Sequence, residues 1–110
     1  MPRDEIPPGT LYMLILRVLA RSSDELHGFE IAKSIETLSE DVLRVEEGSL
    51  YPALQRMLIK GWVKAEWGMT AENRRARYYR LTAAGRRQLQ EEISRFERVI
   101  GAVTRVIQTA

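Results

Sequence analysis

The sequence predicts a mostly α fold with a small β-hairpin and a long last helix. The first 60 residues contain three segments in which apolar residues recur at intervals of three and four, which places their side chains on one helix face. Between Trp62 and Leu81 the apolar period changes to two, which is typical of strands. From Leu89 to Ile107 the intervals return to four and three, the heptad pattern of helices that pair. At 110 residues the chain is predicted to be one small domain with a modest core.

The beginning of the chain combines an irregular arm with a strongly apolar helix. Residues 1–8 mix charged side chains with three prolines and are predicted to form a flexible arm. Thr10 is suited to cap the first helix, in which Leu11, Leu14 and further apolar residues occupy most of the circumference. Such a helix must be buried on more than one side. Its cover is a second subunit, the last helix of the same chain folding back, or both.

A second helix is predicted from Leu26 to Ser39, and its buried stripe is predicted to consist of Phe29, Ile31, Ala32, Ile35 and Leu38. His27, the only histidine, lies at the start of this helix. Because the chain has no cysteine and no other histidine, a surface or phosphate-facing role for His27 is favoured over metal binding or general-base catalysis. The following loop, residues 40–46, contains enough apolar residues to pack against the core, with room for a brief strand.

The third helix, between Glu47 and Gly61, has two different faces. Four apolar residues at i, i+3, i+4 and i+7 form its buried face: Leu50, Ala53, Leu54 and Met57. The outward face, its flank and the helix end carry short or polar side chains: Ser49, Tyr51, Pro52, Gln55, Arg56 and Lys60. Ser49 is predicted as the N-cap, which places Pro52 in the first turn, where a missing N–H costs nothing. Since such a face can meet base edges, these residues are candidate DNA contacts.

The period-two segment predicts a two-stranded hairpin around a polar turn at residues 68–75. Three helices followed by a hairpin describe a winged helix-turn-helix. Residues 73–90 contain six arginines and no acidic residue, the charge pattern of a nucleic-acid surface. A solvated face that serves only solubility is the alternative. On the first interpretation, phosphate or the minor groove is contacted from the wing by Arg74, Arg75 and Arg77.

Thr82 is predicted to cap a last helix that runs to the terminus, roughly 43 Å at 1.5 Å per residue. Six apolar residues form its seam: Leu89, Ile93, Phe96, Ile100, Val103 and Ile107. A helix this long on so small a domain indicates that residues 82–110 pair with a second copy, joined by Leu11 and Leu14 of the first helix. Packing of the seam on its own subunit is the alternative. Residues 9–81 then form the DNA-binding unit.

Composition excludes several classes of protein. With zero cysteines the chain has no disulfide framework, thiol nucleophile or thiolate metal site, and a cytoplasmic location is expected. The apolar run from Leu11 to Leu16 is too short to span a membrane. The sequence contains no phosphate-cradling glycine loop and no catalytic pair of acids in a predicted cleft, so neither an enzyme nor a cofactor is predicted.

Two separated motifs carry a family resemblance. The first is Gly48-Ser49-Leu50-Tyr51-Pro52-Ala53-Leu54, followed by Arg56 and by Gly61-Trp62-Val63. The second is Arg77-Tyr78-Tyr79-Arg80-Leu81-Thr82-Ala83-Ala84-Gly85. With matches in the first two helices, the region from Gly9 to about Leu89 resembles the PadR family of bacterial transcriptional regulators. The sequence departs from the family at Leu58-Ile59, where relatives carry an acidic or polar pair, so Ile59 is either a contact to a thymine methyl or simply exposed.

The resemblance implies a winged-helix homodimer, usually a repressor, whose third helix enters the major groove and whose first and last helices pack against the partner. It also implies that a small aromatic or cationic amphiphilic effector releases the DNA; a ligand-free regulator controlled by its own abundance is the alternative. Trp62 and Trp67 are candidate pocket residues for such an effector, and packing in the core or within the hairpin is the alternative for both. The predicted function is sequence-specific binding to double-stranded DNA at a pseudo-palindromic operator. The alternative is a winged-helix module that binds protein and selects no DNA sequence.

Overall fold

The computed structural model describes residues 4–7 and 9–110, which form four helices and five strands. The elements in chain order are β1 (Asp4–Glu5), α1 (Leu11–Arg21), β2 (Leu26–His27), α2 (Gly28–Leu38), β3 (Leu43–Arg44), α3 (Glu47–Ile59), β4 (Val63–Met69), β5 (Arg75–Leu81) and α4 (Ala83–Gln108). The predicted fold class, mostly α with a β-hairpin and a long last helix, is confirmed. The division into an arm, a DNA-binding unit and a dimerisation helix stays a prediction.

The hydrophobic core lies around α1, which packs against α2, α3, α4 and β5. Six large side chains are fully buried: Ile15, Leu16, Ile31, Leu50, Leu54 and Met57. Three of them belong to the predicted inner face of α3, which is thereby confirmed. In α2, however, the predicted buried stripe is partly wrong, because Phe29 and Leu38 are exposed while Ile31 and Ile35 are buried. Phe29 follows the first helical residue and lies on the other side of the helix axis.

The segment Leu26–His27, predicted as the start of a helix, is a strand that pairs antiparallel with Tyr78 and Tyr79 of β5. It adds a third strand to the hairpin, giving the order β2-β5-β4 instead of the predicted two strands. The helix begins at Gly28, two residues later than predicted, because His27 is its N-cap. The His27 Nδ1 atom accepts a hydrogen bond from the Glu30 N–H at 3.3 Å, and the Glu30 carboxylate accepts one from the His27 N–H at 3.0 Å. This reciprocal pair satisfies two N–H groups that a helix start leaves free.

The start of α3 also differs from the prediction. Its N-cap is Glu46, whose carbonyl accepts from the N–H groups of Ser49 and Leu50, so Ser49 lies inside the helix. Pro52 consequently lies beyond the first turn and cannot donate to the carbonyl of Gly48. The exposed position of Gly48 leaves that carbonyl accessible to water. At the other end, Gly61 has a φ of 77°, the left-handed conformation predicted for a helix-ending glycine.

The hairpin is longer than predicted, since β4 and β5 pair without interruption from Val63↔Leu81 to Met69↔Arg75. Gly68, assigned to the turn from the sequence, is a strand residue covered by the Tyr78 ring, which lies 3.0 Å from where a Cβ would be. The turn itself spans residues 70–74 and is closed by a hydrogen bond of 2.8 Å from the Thr70 N–H to the Arg74 carbonyl.

Both ends of the chain differ in detail from their predictions. Part of the arm is ordered, because Asp4–Glu5 pairs in parallel with Leu43–Arg44, the brief strand predicted before α3. Residues 1–3 and 8 of the predicted flexible arm lie outside the described residues. At the far end, α4 is capped by Thr82 as predicted, but it ends at Gln108, short of the terminus. Within the described part of the chain, no helix is both long and apolar enough to cross a membrane.

Candidate nucleic-acid interface

The outward face of α3 is set by the helix period. Because the buried face is fixed in the core, Pro52, Gln55 and Ile59 point away from the protein and are all exposed. Ile59 is 79% exposed, which confirms its predicted outward position and makes the C-terminal part of this face apolar. None of the described elements covers this face, so it can enter a DNA groove.

One flank of α3 faces α1 and the short β1–β3 sheet. Ser49, Pro52 and Arg56 line a groove of about 440 Å³ there. The Arg56 Nη1 atom donates a hydrogen bond to the hydroxyl oxygen of Tyr12 at 3.1 Å. At the far side of the groove, Arg44 and Glu46 form an exposed ion pair of 2.9 Å. The predicted contacts Ser49 and Arg56 therefore lie together, beside the outermost line of the helix.

The other flank of α3 faces the wing. Tyr51 lies against the backbone of Gly28, where an added Cβ would be 2.7 Å from its ring. A larger residue at the start of α2 would therefore displace the Tyr51 ring. Tyr51 and the first residues of α2 form one wall of an open cleft of about 780 Å³, and the wing residues Trp67 and Arg74 belong to the other. The α3 helix and the wing thus enclose a space between them.

The wing carries three of the predicted phosphate contacts. Arg74 is in the turn, while Arg75 and Arg77 lie on β5 beside the indole ring of Trp67, their guanidinium carbons 4.6 and 5.7 Å from its centroid. These are cation–π distances. Trp67 is 59% exposed, so it is not a core residue. Among the described residues, Arg77 Nε is buried and has no hydrogen-bond partner.

The remaining predicted contacts have identifiable local roles. His27 is largely occupied by its N-cap bond, by the edge of the Tyr78 ring at 5.3 Å and by the Glu30 carboxylate, 3.5 Å from Nε2. Lys60, at the end of α3, lies with its Nζ atom 5.2 Å from the Trp62 ring centroid. Both side chains border the candidate surface, but neither has a contact that shows DNA binding.

The two tryptophans have separate surroundings. Trp62 is half-buried against the core and meets the Tyr12 ring edge to face at 5.9 Å. Trp67 lines the wing cleft, to which Trp62 does not contribute. Within one protomer the structure does not bring these two predicted effector contacts together.

The seam of α4 divides into two parts. Leu89 is buried and Ile93 half-buried in the core of their own chain, the alternative that the sequence left open. Beyond them the apolar face is uncovered: Phe96, Ile100, Val103 and Ile107 are each at least 40% exposed, as are their neighbours Val99 and Val106. Leu11 and Leu14 of α1 are half-buried. The described residues therefore leave an apolar surface on α4 that is at least partly exposed.

Two further observations concern chemistry at the site. Burial raises the pKa of the Tyr79 hydroxyl, with Arg77 lowering it and Tyr51 raising it to smaller extents, so this tyrosine stays neutral. Among the described residues, no three metal-binding side chains are grouped.

The residue that sequence reasoning missed is Tyr12, whose only signal was a hydroxyl in an otherwise apolar helix start.

Comparison with known proteins gives a consistent family. The sequence profile of the Transcriptional regulator PadR-like family matches residues 15–91. A transcriptional regulator from Clostridium thermocellum has a TM-score of 0.81 at 24% identity, covering 91% of this chain and 95% of that one. A PadR family transcriptional regulator from Eggerthella lenta has a TM-score of 0.76 at 28% identity, covering 93% and 85%. Bacillus subtilis PadR, in its complex with operator DNA, shares the fold with a TM-score of 0.66 at 20% identity, covering 76% of this chain and 47% of that one.

Because the family profile spans more than half of the sequence, and the winged helix with its long last helix agrees with it, the chain belongs to the Transcriptional regulator PadR-like family.

Proposed function

We propose that this regulator is a cytoplasmic homodimer that binds a pseudo-palindromic DNA operator and represses transcription. The observation that carries the proposal is the uncovered outer face of α3, with a wing bearing Arg74, Arg75 and Arg77 next to it. The solved complex of Bacillus subtilis PadR with operator DNA supports the same use of this fold.

In this proposal α3 enters the major groove. Gln55, at the centre of the outer face, offers a donor and an acceptor that match adenine, while Ile59 can contact a thymine methyl. Ser49, Tyr51, Pro52 and Arg56 form the flanks that meet the groove walls. The wing arginines bind phosphate, which supplies affinity and salt dependence more than sequence choice.

The proposed dimer forms through the apolar surface on α4, with Leu11 and Leu14 of α1 at its edge. A twofold axis then relates two copies of α3, and their half-sites lie about 34 to 36 Å apart along the duplex. Repression follows when the dimer occupies an operator that overlaps a promoter.

A small aromatic or amphiphilic effector is proposed to release the DNA. Trp62 lies where the end of α3 meets α1 and the start of α4: its N–H donates to Met57 and its carbonyl accepts from Thr82. A ligand beside Trp62 therefore lies close to the end of α3 and to α1, whose Leu11 and Leu14 border the proposed interface. Quenching of Trp62 fluorescence that follows the same concentration dependence as DNA release would support this step.

Selection of bound sequences from a random duplex library tests the main proposal. The expected result is an enriched palindrome with half-sites one helical turn apart, bound by two chains, and reduced expression from a promoter that contains it. Absence of any enriched sequence would contradict the proposal. It would favour instead a winged-helix module that binds protein, to which the exposed Phe29 and Ile59 side chains would be suited.

A further inference from the structure

We propose that Tyr12 of α1 is a positioning residue that determines how Arg56 of α3 meets DNA. The inference rests on the proposed function above. Arg56 is the only arginine within α3, and its Nη1 atom donates to the Tyr12 hydroxyl oxygen at 3.1 Å. The two residues are 44 positions apart in the sequence, so this bond links α3 directly to α1.

The Tyr12 hydroxyl is held on a rigid support. Its ring meets the Trp62 ring at 5.9 Å with an interplanar angle of 87°. The Trp62 backbone is fixed on both sides, because its N–H donates to the Met57 carbonyl and its own carbonyl accepts from the Thr82 N–H, both at 3.0 Å. Gly85 of α4 packs so closely that an added Cβ would overlap the Trp62 carbonyl oxygen. Tyr12 therefore presents its oxygen at a defined position.

The hydrogen bond orients the guanidinium group. With Nη1 directed toward α1, the opposite edge formed by Nε and Nη2 carries two parallel N–H groups, a fork that matches two phosphate oxygens or O6 and N7 of guanine. Arg56 is exposed, so without the tether its long side chain would sample many rotamers. A guanidinium that is already oriented loses less conformational freedom when it binds DNA.

A double-mutant cycle on the selected operator tests the inference. Tyr12→Phe removes the hydroxyl and keeps the ring on Trp62, so thermal unfolding and tryptophan emission should be unchanged. Operator affinity should fall about 3- to 10-fold for each subunit of the bound dimer, the range expected for one hydrogen bond in each. In an Arg56→Ala background the same substitution should change affinity by less than about 2-fold, because its partner is absent. Arg56→Lys should lose nearly as much affinity as Arg56→Ala, since lysine cannot form the fork.

A matched control and a second readout separate positioning from general stability. Tyr78→Phe removes a wing hydroxyl that donates to the Met69 carbonyl at 3.2 Å, so its effect should be the same with and without Arg56. Sequence selection should be repeated with both variants. Tyr12→Phe should change the same property as Arg56→Ala, either the base preference at one operator position or the slope of log affinity against log salt. If an operator is found and Tyr12→Phe has equal effects in both backgrounds, the inference about Tyr12 is wrong, while the proposed function is unaffected. If the unmodified protein selects no operator, both the inference and the proposed function fail.

Discussion

The substitution Ile100→Glu tests the proposed dimer at the centre of its surface. Ile100 is 44% exposed and lies between Phe96 and Val103, which are 40% and 46% exposed. Because the proposed dimer is twofold symmetric, the substitution places two carboxylates in the interface, one from each subunit. Ala102 provides the control, because it is exposed two residues further along, on the opposite side of α4.

The expected magnitude follows from the partial burial of Ile100. Full burial of an isoleucine is worth about 1.5 to 3 kcal/mol, so covering the remaining half contributes about 1 kcal/mol from each subunit. Removing a carboxylate from water costs several kcal/mol. The new side chain can relax toward the edge of the helix pair, which lowers this desolvation cost to at least about 1 kcal/mol for each carboxylate. The total is about 4 kcal/mol, or a dimer dissociation constant roughly 1,000-fold higher.

Sedimentation equilibrium measures this constant directly. Ile100→Glu should give a monomer at concentrations where the unmodified protein and Ala102→Glu are dimers, with the helical circular dichroism of the folded domain retained. A monomeric unmodified protein would refute the proposed dimer. Equal dissociation constants for Ile100→Glu and Ala102→Glu would show that this surface of α4 is not the interface.

Three further predictions concern the reading helix, the wing and the core. Gln55→Ala should weaken binding by about 1 to 3 kcal/mol and relax base preference at one operator position; equal losses on operator and random duplexes, measured by anisotropy, would contradict a base contact. Replacing Arg74 and Arg75 by alanine should weaken binding similarly on all sequences and flatten the slope of log affinity against log salt by roughly one to two units for each subunit of the bound dimer, whereas an unchanged slope would exclude a phosphate role. Because burial raises the pKa of Tyr79 above its ordinary value of 10.0, the unfolded chain loses that proton first. Stability should therefore be unaffected by this group below pH 10 and fall as pH rises above it, in chemical unfolding curves whose alkaline decrease Tyr79→Phe reduces.

The inner face of α3 could be predicted from sequence because helix period and burial are the same signal: Leu50, Leu54 and Met57 had to share a face, and they fill the core. The start of α3 could not be predicted from the sequence. Ser49 and Glu46 are both able to begin a helix, and the choice depends on where the preceding chain enters, which β3 fixes through its pairing with β1. Cap positions are decided by tertiary contacts of this kind.

The strand Leu26–His27 escaped prediction for a different reason. Two residues carry no period, and their only partners, Tyr78 and Tyr79, are about half the chain away in sequence. The seam of α4 posed a related problem. Its spacing is regular from Leu89 to Ile107, and a regular spacing is the same whether the helix packs on its own core or on a partner. The structure divides the seam, because Leu89 and Ile93 pack into the core of their own chain while the apolar residues from Phe96 onward are exposed.

Trp67 shows how contacts assign a role that composition leaves open. As a large aromatic residue it suited a ligand pocket or hairpin packing equally well, but it is exposed on the wing with the guanidinium groups of Arg75 and Arg77 at its ring. A guanidinium near an indole ring retains N–H groups that can still reach phosphate, and each such contact is worth about 0.5 to 1 kcal/mol at an exposed site. Trp67 therefore supports the basic surface of the wing.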